Sequence, residues 1–202
     1  MKIDRFKLAF MLLFVAAAAV LFYLLTLQPQ AIPNETPAEE EYHVHADFTV
    51  FVNGVKYDFA REEFMEKLSC GKPGEEHIEE SPMHMHDLNG GVLHIHDERA
   101  TLGMFFSALN MSLDSECIVL KYDGRFCVSG DKKLRMFVNG AENSDFEGYE
   151  PRDLDKILVT YGSESSSFIR AQYDSIPSQA CIYSGKCPTP PGFVITPESC
   201  GD

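Results

Sequence analysis

The sequence predicts an α+β protein in which one N-terminal transmembrane helix precedes a hairpin-rich mixed β-sheet domain, with a β-grasp-like arrangement as the specific expectation. Two observations support this class. Residues 8–27 form an uncharged, apolar run of twenty. Beyond it, short segments rich in β-branched and aromatic residues are separated by turn-forming dipeptides, which is typical of β-hairpins. The 202 residues suffice for one ordinary domain with a sizeable core.

The N-terminal run is predicted to be an uncleaved membrane anchor in contact with lipid. As a helix, residues 8–27 would span roughly 30 Å, the thickness of the hydrocarbon layer. Lys2, Arg5 and Lys7 precede the run and a Glu-rich stretch follows it, so the positive-inside rule keeps residues 1–7 in the cytoplasm and exports the remainder. The alternative is a cleaved signal peptide, which would have a shorter apolar segment and a small-residue cleavage site.

Residues 28–42 are predicted to be an extended linker, because they contain three Pro, a Glu run and few apolar residues. Fifteen extended residues reach roughly 45–50 Å, which is enough to serve a neighbouring membrane protein. Asn34 and Asn110 begin sequons for glycosylation, a pattern that is common by chance.

The exported domain is expected over 43–175. Strands are predicted at 43–52, 55–57, 117–122, 134–138 and 156–161, a hairpin at 84–96, and helices at 61–68, 101–109 and 165–175. The Asn53-Gly54 dipeptide is a strong signal for a tight turn between the first two strands. Residues 176–202 form a Cys/Pro-rich tail that would need covalent ties.

The charge balance excludes one class of partner. The chain has a net charge of −14, and the part beyond residue 27 has 30 acidic and 14 basic side chains, a net of −16. Such a surface repels phosphate backbones, so nucleic-acid binding is not expected. The same field should attract cations.

The cysteine pattern predicts disulfides. All six cysteines follow the apolar run, and an even number in an exported domain favours structural bridges. Cys117 and Cys127 flank a predicted turn, and Cys181 and Cys187 could close a small loop in the tail, which leaves Cys70 and Cys200 as a pair or as free thiols. The alternative, redox catalysis, has weak support because the chain has no C-x-x-C motif.

Three His-x-His pairs are the strongest functional signal. They are His43/His45, His84/His86 and His94/His96. Because alternate residues of a strand point to the same face, each pair presents two imidazoles side by side. If Asn89, Gly90 and Gly91 form a three-residue loop with Gly91 in the left-handed region, His86 faces His94 and His84 faces His96. A two-residue turn would instead move the pairs to opposite faces.

Acidic and sulfur-containing residues accompany the pairs. Asp47 shares a strand face with His43 and His45, so it is counted among the candidate ligands. Asp87 and Asp97 point the other way and are expected to shape turns or orient imidazoles. Met83 and Met85 also face away, which favours core positions over copper ligation. His77, in an acidic stretch, is expected on the surface.

The donor set predicts a transition metal. Imidazoles suit Cu²⁺, Zn²⁺, Ni²⁺ or Fe²⁺, and the oxidising compartment and nearby methionines favour copper, with zinc close behind. A pH-sensing cluster and solvated histidines without a special role are the alternatives.

Several sequence segments together resemble one uncharacterised family of membrane-anchored exported proteins from archaea and small-genome bacteria. They are HVHADFTVFVNG, HMHDLNGGVLHIH, TLGMFFSALNM, LRMFVNG, DLDKILVTYG and ACIYSGKCP, within residues 42–190. Members of that family are sometimes labelled protein disulfide isomerase, although this chain lacks the dithiol motif of those enzymes. The resemblance implies a single exported unit.

The favoured hypothesis is a membrane-tethered protein that captures or delivers copper or zinc outside the cytoplasm. The alternatives are a His-ligated metalloenzyme, a thiol–disulfide exchange enzyme and a surface scaffold without metal. No nucleophile–base pair or glycine-rich phosphate loop is evident in the sequence, which favours a binding protein over an enzyme.

Overall fold

The computed structural model describes residues 5–26, 42–66 and 81–195. The chain divides into two compact units, Met1–Glu40 and Glu41–Asp202. Several predictions concern residues outside the described ranges and are not addressed by the structure: Asn34, Cys70, His77, Cys200 and most of the 28–42 linker.

The first unit contains helix α1, Arg5–Thr26. A membrane-spanning helix must be both about 20 residues long and apolar throughout. Within the described residues, no helix meets the combined requirement of length and apolarity for crossing a membrane. The predicted transmembrane helix at 8–27 is therefore wrong. The segment is helical, but its helix, Arg5–Thr26, is not one that could cross a membrane.

The second unit contains ten strands and three α-helices among its described residues. The strands are β1 Val44–Val52, β2 Val55–Lys56, β3 Met83–His84, β4 Val92–Ile95, β5 Ser112–Leu113, β6 Cys117–Leu120, β7 Gly124–Cys127, β8 Lys133–Val138, β9 Ala141–Asn143 and β10 Lys156–Gly162. The helices are α2 Leu102–Ala108, α3 Ser166–Asp174 and α4 Ala180–Tyr183. The α+β class with a mixed sheet is confirmed.

The main sheet has the strand order β3-β4-β1-β10-β8-β9, and β2 pairs with the end of β1. Strands β1 and β10 are parallel neighbours, with Asp47 opposite Lys156 and Val52 opposite Tyr161, whereas the other pairings are antiparallel. The first hairpin forms as predicted, because Asn53 and Gly54 both adopt positive φ between β1 and β2.

The two faces of the main sheet have different roles. On β1, Ala46, Phe48 and Val50 are buried in the larger hydrophobic core, with Phe105 and Phe106 of α2. The intervening side chains point to the opposite face, where Phe51 and Leu158 of the sheet form a smaller cluster with Ile169 of α3 and Ile176. The histidines occupy the remaining end of that second face.

Helices α2 and α3 begin at capping residues, which explains why their limits could be predicted. The Thr101 hydroxyl accepts a hydrogen bond from Met104 N, and the Ser165 hydroxyl accepts one from Phe168 N. The predicted helix at 61–68 is wrong over the part that is described, where only a short 3-10 turn, Glu62–Phe64, forms. Phe64 anchors this turn by packing into the core.

Two disulfides are present among the described residues, as predicted. Cys117–Cys127 joins paired positions of β6 and β7 in the small β5-β6-β7 sheet. Cys181–Cys187 closes a loop that begins in α4. The tail is therefore disulfide-tied as expected, but it contains a short helix that the sequence did not predict.

Candidate metal centre

The six histidines of the three pairs lie together on one face of the main sheet. Neighbouring rings follow the order His86, His94, His45, His43, His96 and His84, and their centroids lie between 3.9 and 5.0 Å apart. They converge because β3, β4 and β1 are adjacent and alternate side chains share a face. We call these six residues the histidine cluster. The prediction that the three pairs meet on one face is confirmed, whereas metal binding by these residues stays a prediction.

The register of the β3–β4 hairpin differs from the predicted one. His84 pairs with His94 and Met83 with Ile95, two residues from the expected partners. Asp87 and Leu88 have positive φ, whereas Gly91 does not, so the chain reverses before the glycines and the connection is longer than three residues. The imidazoles still share one face because a slip of two residues preserves side-chain alternation.

Three of these histidines form a group that could hold one metal ion. One ligand atom each from His43, His45 and His94 lies within 4.8 Å of the other two. In a tetrahedral zinc site with bonds of about 2.0–2.1 Å, two ligand nitrogens lie about 3.3 Å apart, so small side-chain rotations would close the group around an ion. His45 and His94 are buried and His43 is exposed, which leaves the group reachable from solvent.

His45 is oriented by a hydrogen-bond network from the tail. The Ser184 hydroxyl donates to Asp153 Oδ1 at 2.6 Å, and His45 Nδ1 lies 2.9 Å from the same Ser184 oxygen. Because a hydroxyl has one proton, Ser184 Oγ must accept from His45 Nδ1–H. This tautomer leaves the lone pair of His45 on Nε2, one of the two ring nitrogens through which a neutral imidazole can bind a metal.

The carboxylate of Asp153 accepts the last hydrogen bond of this network, and its surroundings favour the ionised form. Burial opposes its ionisation, but Lys186, the Ser184 hydroxyl and the backbone N–H of His45 together hold the pKa of this carboxyl below its usual range. Lys186 Nζ forms an ion pair with Asp153 Oδ2. An ionised carboxylate can only accept hydrogen bonds, which fixes the direction of the Ser184 hydroxyl.

His94 is oriented by a second histidine. Its Nδ1 lies 3.1 Å from His86 Nε2. His86 Nδ1 lies 3.1 Å from Asp87 Oδ2, a charge contact that falls outside hydrogen-bond geometry. The hydrogen bond between His94 Nδ1 and His86 Nε2 orients the His94 ring, and its direction depends on which of the two nitrogens is protonated.

His84 has a carboxylate neighbour on the other side of the cluster. Its Nδ1 lies 2.9 Å from Glu66 Oε2 and 3.4 Å from the carbonyl oxygen of Ser81. Burial raises the pKa of Glu66, but His84 and the Ser81 N–H outweigh it and hold the pKa below its usual value. Among the described residues, His84 Nε2 is buried without a hydrogen-bond partner.

The acidic residues Asp47 and Asp97 make structural contacts, and the two methionines lie in the core. Asp47 Oδ1 accepts hydrogen bonds from the backbone of Gln179 (2.8 Å) and Ala180 (3.1 Å), so this carboxylate holds the start of α4. Asp97 forms an ion pair with Arg99. Met83 and Met85 are buried in the larger core, on the face opposite the histidines, as predicted.

Four residues of the centre lay outside the sequence prediction, namely Glu66, Asp153, Tyr183 and Ser184. Ser184 and Asp153 are 139 and 108 positions from His45. No local spacing connects residues so far apart. The one available signal was the Cys181–Cys187 pair, which marks the intervening tail segment as structurally fixed.

Comparison with protein-family models, with curated proteins and with solved structures finds no match to this chain. The resemblance to the exported archaeal and bacterial family and the β-grasp-like arrangement therefore stay predictions.

Proposed function

We propose that this protein binds one transition-metal ion, Cu²⁺ or Zn²⁺, through His43, His45 and His94, and that it captures or delivers the ion in an oxidising compartment. The observation that carries this proposal is the group of three imidazoles at the start of β1 and on the adjacent strand β4, with ligand atoms within 4.8 Å of one another. The polar contacts behind His45 and His94 support it, because both orient an imidazole before any ion arrives and the Ser184 contact leaves the lone pair of His45 on Nε2.

The donor chemistry supports a borderline transition metal. Imidazole nitrogens suit Zn²⁺ and Cu²⁺, whereas Ca²⁺ and Mg²⁺ prefer oxygen ligands. Met83 and Met85 point into the core, so thioether ligation gives no support for Cu⁺. Measurement of the affinity for each ion distinguishes Cu²⁺ from Zn²⁺.

The two disulfides support the proposal of an oxidising compartment. Cys117–Cys127 and Cys181–Cys187 are of the kind that persists outside the reducing cytosol. The net charge of −14 would concentrate cations near such a surface. We propose that the acceptor or donor of the ion is a neighbouring membrane protein in the same compartment.

A binding role fits this centre better than a hydrolytic one. A zinc hydrolase needs a carboxylate or another base beside the metal-bound water. Asp47, the acidic residue nearest to His45 on β1, uses Oδ1 to hold Gln179 N and Ala180 N instead.

Metal content of the purified full-length protein tests the proposal. After exposure to Cu²⁺ or Zn²⁺ and removal of loose ions, we expect about one equivalent per chain in the wild type and almost none in His45→Ala/His94→Ala. His77→Ala is the matched control, because His77 is the one histidine outside the three His-x-His pairs. A wild type that retains neither ion, or a double variant that retains the full amount, would overturn the proposal.

A further inference from the structure

The loop closed by Cys181–Cys187 lies against the histidine cluster. The disulfide joins residues six positions apart and encloses Tyr183 and Ser184. Backbone bonds from Lys186 N and Cys187 N to the carbonyl oxygen of Cys181 tighten the same loop. Ser184 and Tyr183 each contact a different member of the three-histidine group.

Ser184 contacts His45 by the hydrogen bond to Nδ1 described above, and it bridges this ring to Asp153. Lys186, in the same loop, forms the ion pair with Asp153. The disulfide loop therefore supplies two of the groups that determine the tautomer and the orientation of His45.

Tyr183 contacts the other buried member. Its ring packs edge-to-face on the His94 imidazole with centroids 4.8 Å apart, and it lies 5.6 Å from the His45 ring. Its hydroxyl accepts a hydrogen bond from Asn89 Nδ2 at 3.2 Å. Asn89 follows β3, so Tyr183 joins the loop to the β3–β4 connection as well as to the ligands.

We infer that Ser184 is a positioning residue for the metal centre and that the Cys181–Cys187 disulfide holds it in place, so that metal affinity depends on the oxidation state of this one bridge. The inference rests on the proposed function at His43, His45 and His94. Groups that orient metal-binding imidazoles typically change metal affinity 10–100-fold when removed.

The Cys181–Cys187 bridge is reduced by thiol–disulfide exchange. A dithiol donor supplies two electrons and two protons, the Cys181–Cys187 bond breaks to give two thiols, and the donor becomes a disulfide. The reduced loop loses its covalent closure, and the contacts of Ser184 and Tyr183 with the ligands then depend on weak interactions alone. The ion is bound less tightly as a result.

The experiment compares the dissociation constant of Zn²⁺ or Cu²⁺ for five full-length proteins. These are the wild type, Ser184→Ala, Ser184→Thr, Cys181→Ser/Cys187→Ser and Cys117→Ser/Cys127→Ser. The last variant is the matched control, because it removes a disulfide from the small β5-β6-β7 sheet. We expect a 10–100-fold weaker affinity in Ser184→Ala and in Cys181→Ser/Cys187→Ser, near wild-type affinity in the control, and recovery in Ser184→Thr, which keeps the hydroxyl.

Nitrogen-15 NMR of the apo wild type and Ser184→Ala gives a readout that a purely structural role would not change. His45 should be protonated on Nδ1 in the wild type and shift toward a mixture of tautomers in Ser184→Ala. Unchanged affinity in both loop variants, equal losses from removing either disulfide, or an unaltered His45 tautomer would overturn the inference while leaving the proposed site intact. A wild type that binds no ion would instead overturn the proposed function.

Discussion

At the scale of single residues, Asp47 illustrates how a side chain beside a predicted site can serve the fold instead. It follows His45 by two positions on β1 and shares its face, which made it a candidate ligand. In the structure its carboxylate accepts the backbone N–H groups of Gln179 and Ala180. These two hydrogen bonds tie the start of α4 to β1.

We predict that Asp47→Ala destabilises the protein without removing the metal site. The change removes the acceptor of the buried Ala180 N–H and of the part-buried Gln179 N–H, which costs about 1–3 kcal/mol of unfolding free energy. Chemical denaturation measures the loss, and Asp47→Asn is the control because its amide oxygen can still accept. A metal stoichiometry near zero in a folded Asp47→Ala protein would contradict this assignment and restore Asp47 as a ligand.

The His-x-His pairs were predictable at this scale because strand alternation is a local property. Each pair needed only its own strand to place both imidazoles on one face. The sequence could not indicate which nitrogen of each ring is protonated. That depends on Ser184 and Asp153 for His45 and on His86 for His94.

At the scale of elements, the β3–β4 hairpin was predicted in kind but not in register. The glycines were expected to form the turn, yet positive φ falls at Asp87 and Leu88. Gly90 has a different function, because a Cβ built there would lie 2.5 Å from both Ala60 N and Phe59 C. Close approach to another segment therefore requires the glycine, and this requirement cannot be inferred from the hairpin sequence alone.

Gly90→Ala should therefore destabilise the protein even though its backbone conformation is accessible to alanine. The atoms in the way are backbone atoms, so the segment at Phe59 and Ala60 must shift, at a cost of about 1–3 kcal/mol. Gly148→Ala is the matched control, since nothing lies within 4 Å of its Cβ position and its φ is also ordinary. Equal unfolding free energies for the two variants would show that the backbone at Phe59 and Ala60 does not restrict the side chain at position 90.

At the scale of the whole molecule, the proposed ion would link two strands and stabilise the fold. His43 directly precedes β1, His45 lies at the start of β1, and His94 lies on β4 opposite His45. An ion bound to the folded state alone stabilises it in proportion to the logarithm of its concentration relative to the dissociation constant.

We predict that free metal at 100 times the dissociation constant adds about 2.7 kcal/mol to the unfolding free energy, or roughly 5–10 °C in Tm for a domain of this size. Thermal unfolding with and without the ion, and after addition of a chelator, measures this effect. His45→Ala/His94→Ala should show no shift. A shift of the same size in that variant would mean that the ion acts elsewhere.

Local sequence patterns were enough to predict the α+β class, the main strands, the two capped helices, the two described disulfides and the gathering of histidines on one face. These features follow from side-chain alternation, turn dipeptides, capping residues and cysteine spacing, which all act over a few residues. The tertiary structure decided the role of Asp47, the hairpin register, the choice of His43, His45 and His94, and the contact of Ser184 with His45. The predicted membrane-spanning helix is wrong on a separate ground, because no helix among the described residues, α1 at Arg5–Thr26 included, is long and apolar enough to cross a membrane. The physical reason is that the role of Asp47, the hairpin register, the three-histidine group and the Ser184 contact depend on packing or on residues distant in the sequence, such as Ser184 and His45, which lie 139 positions apart.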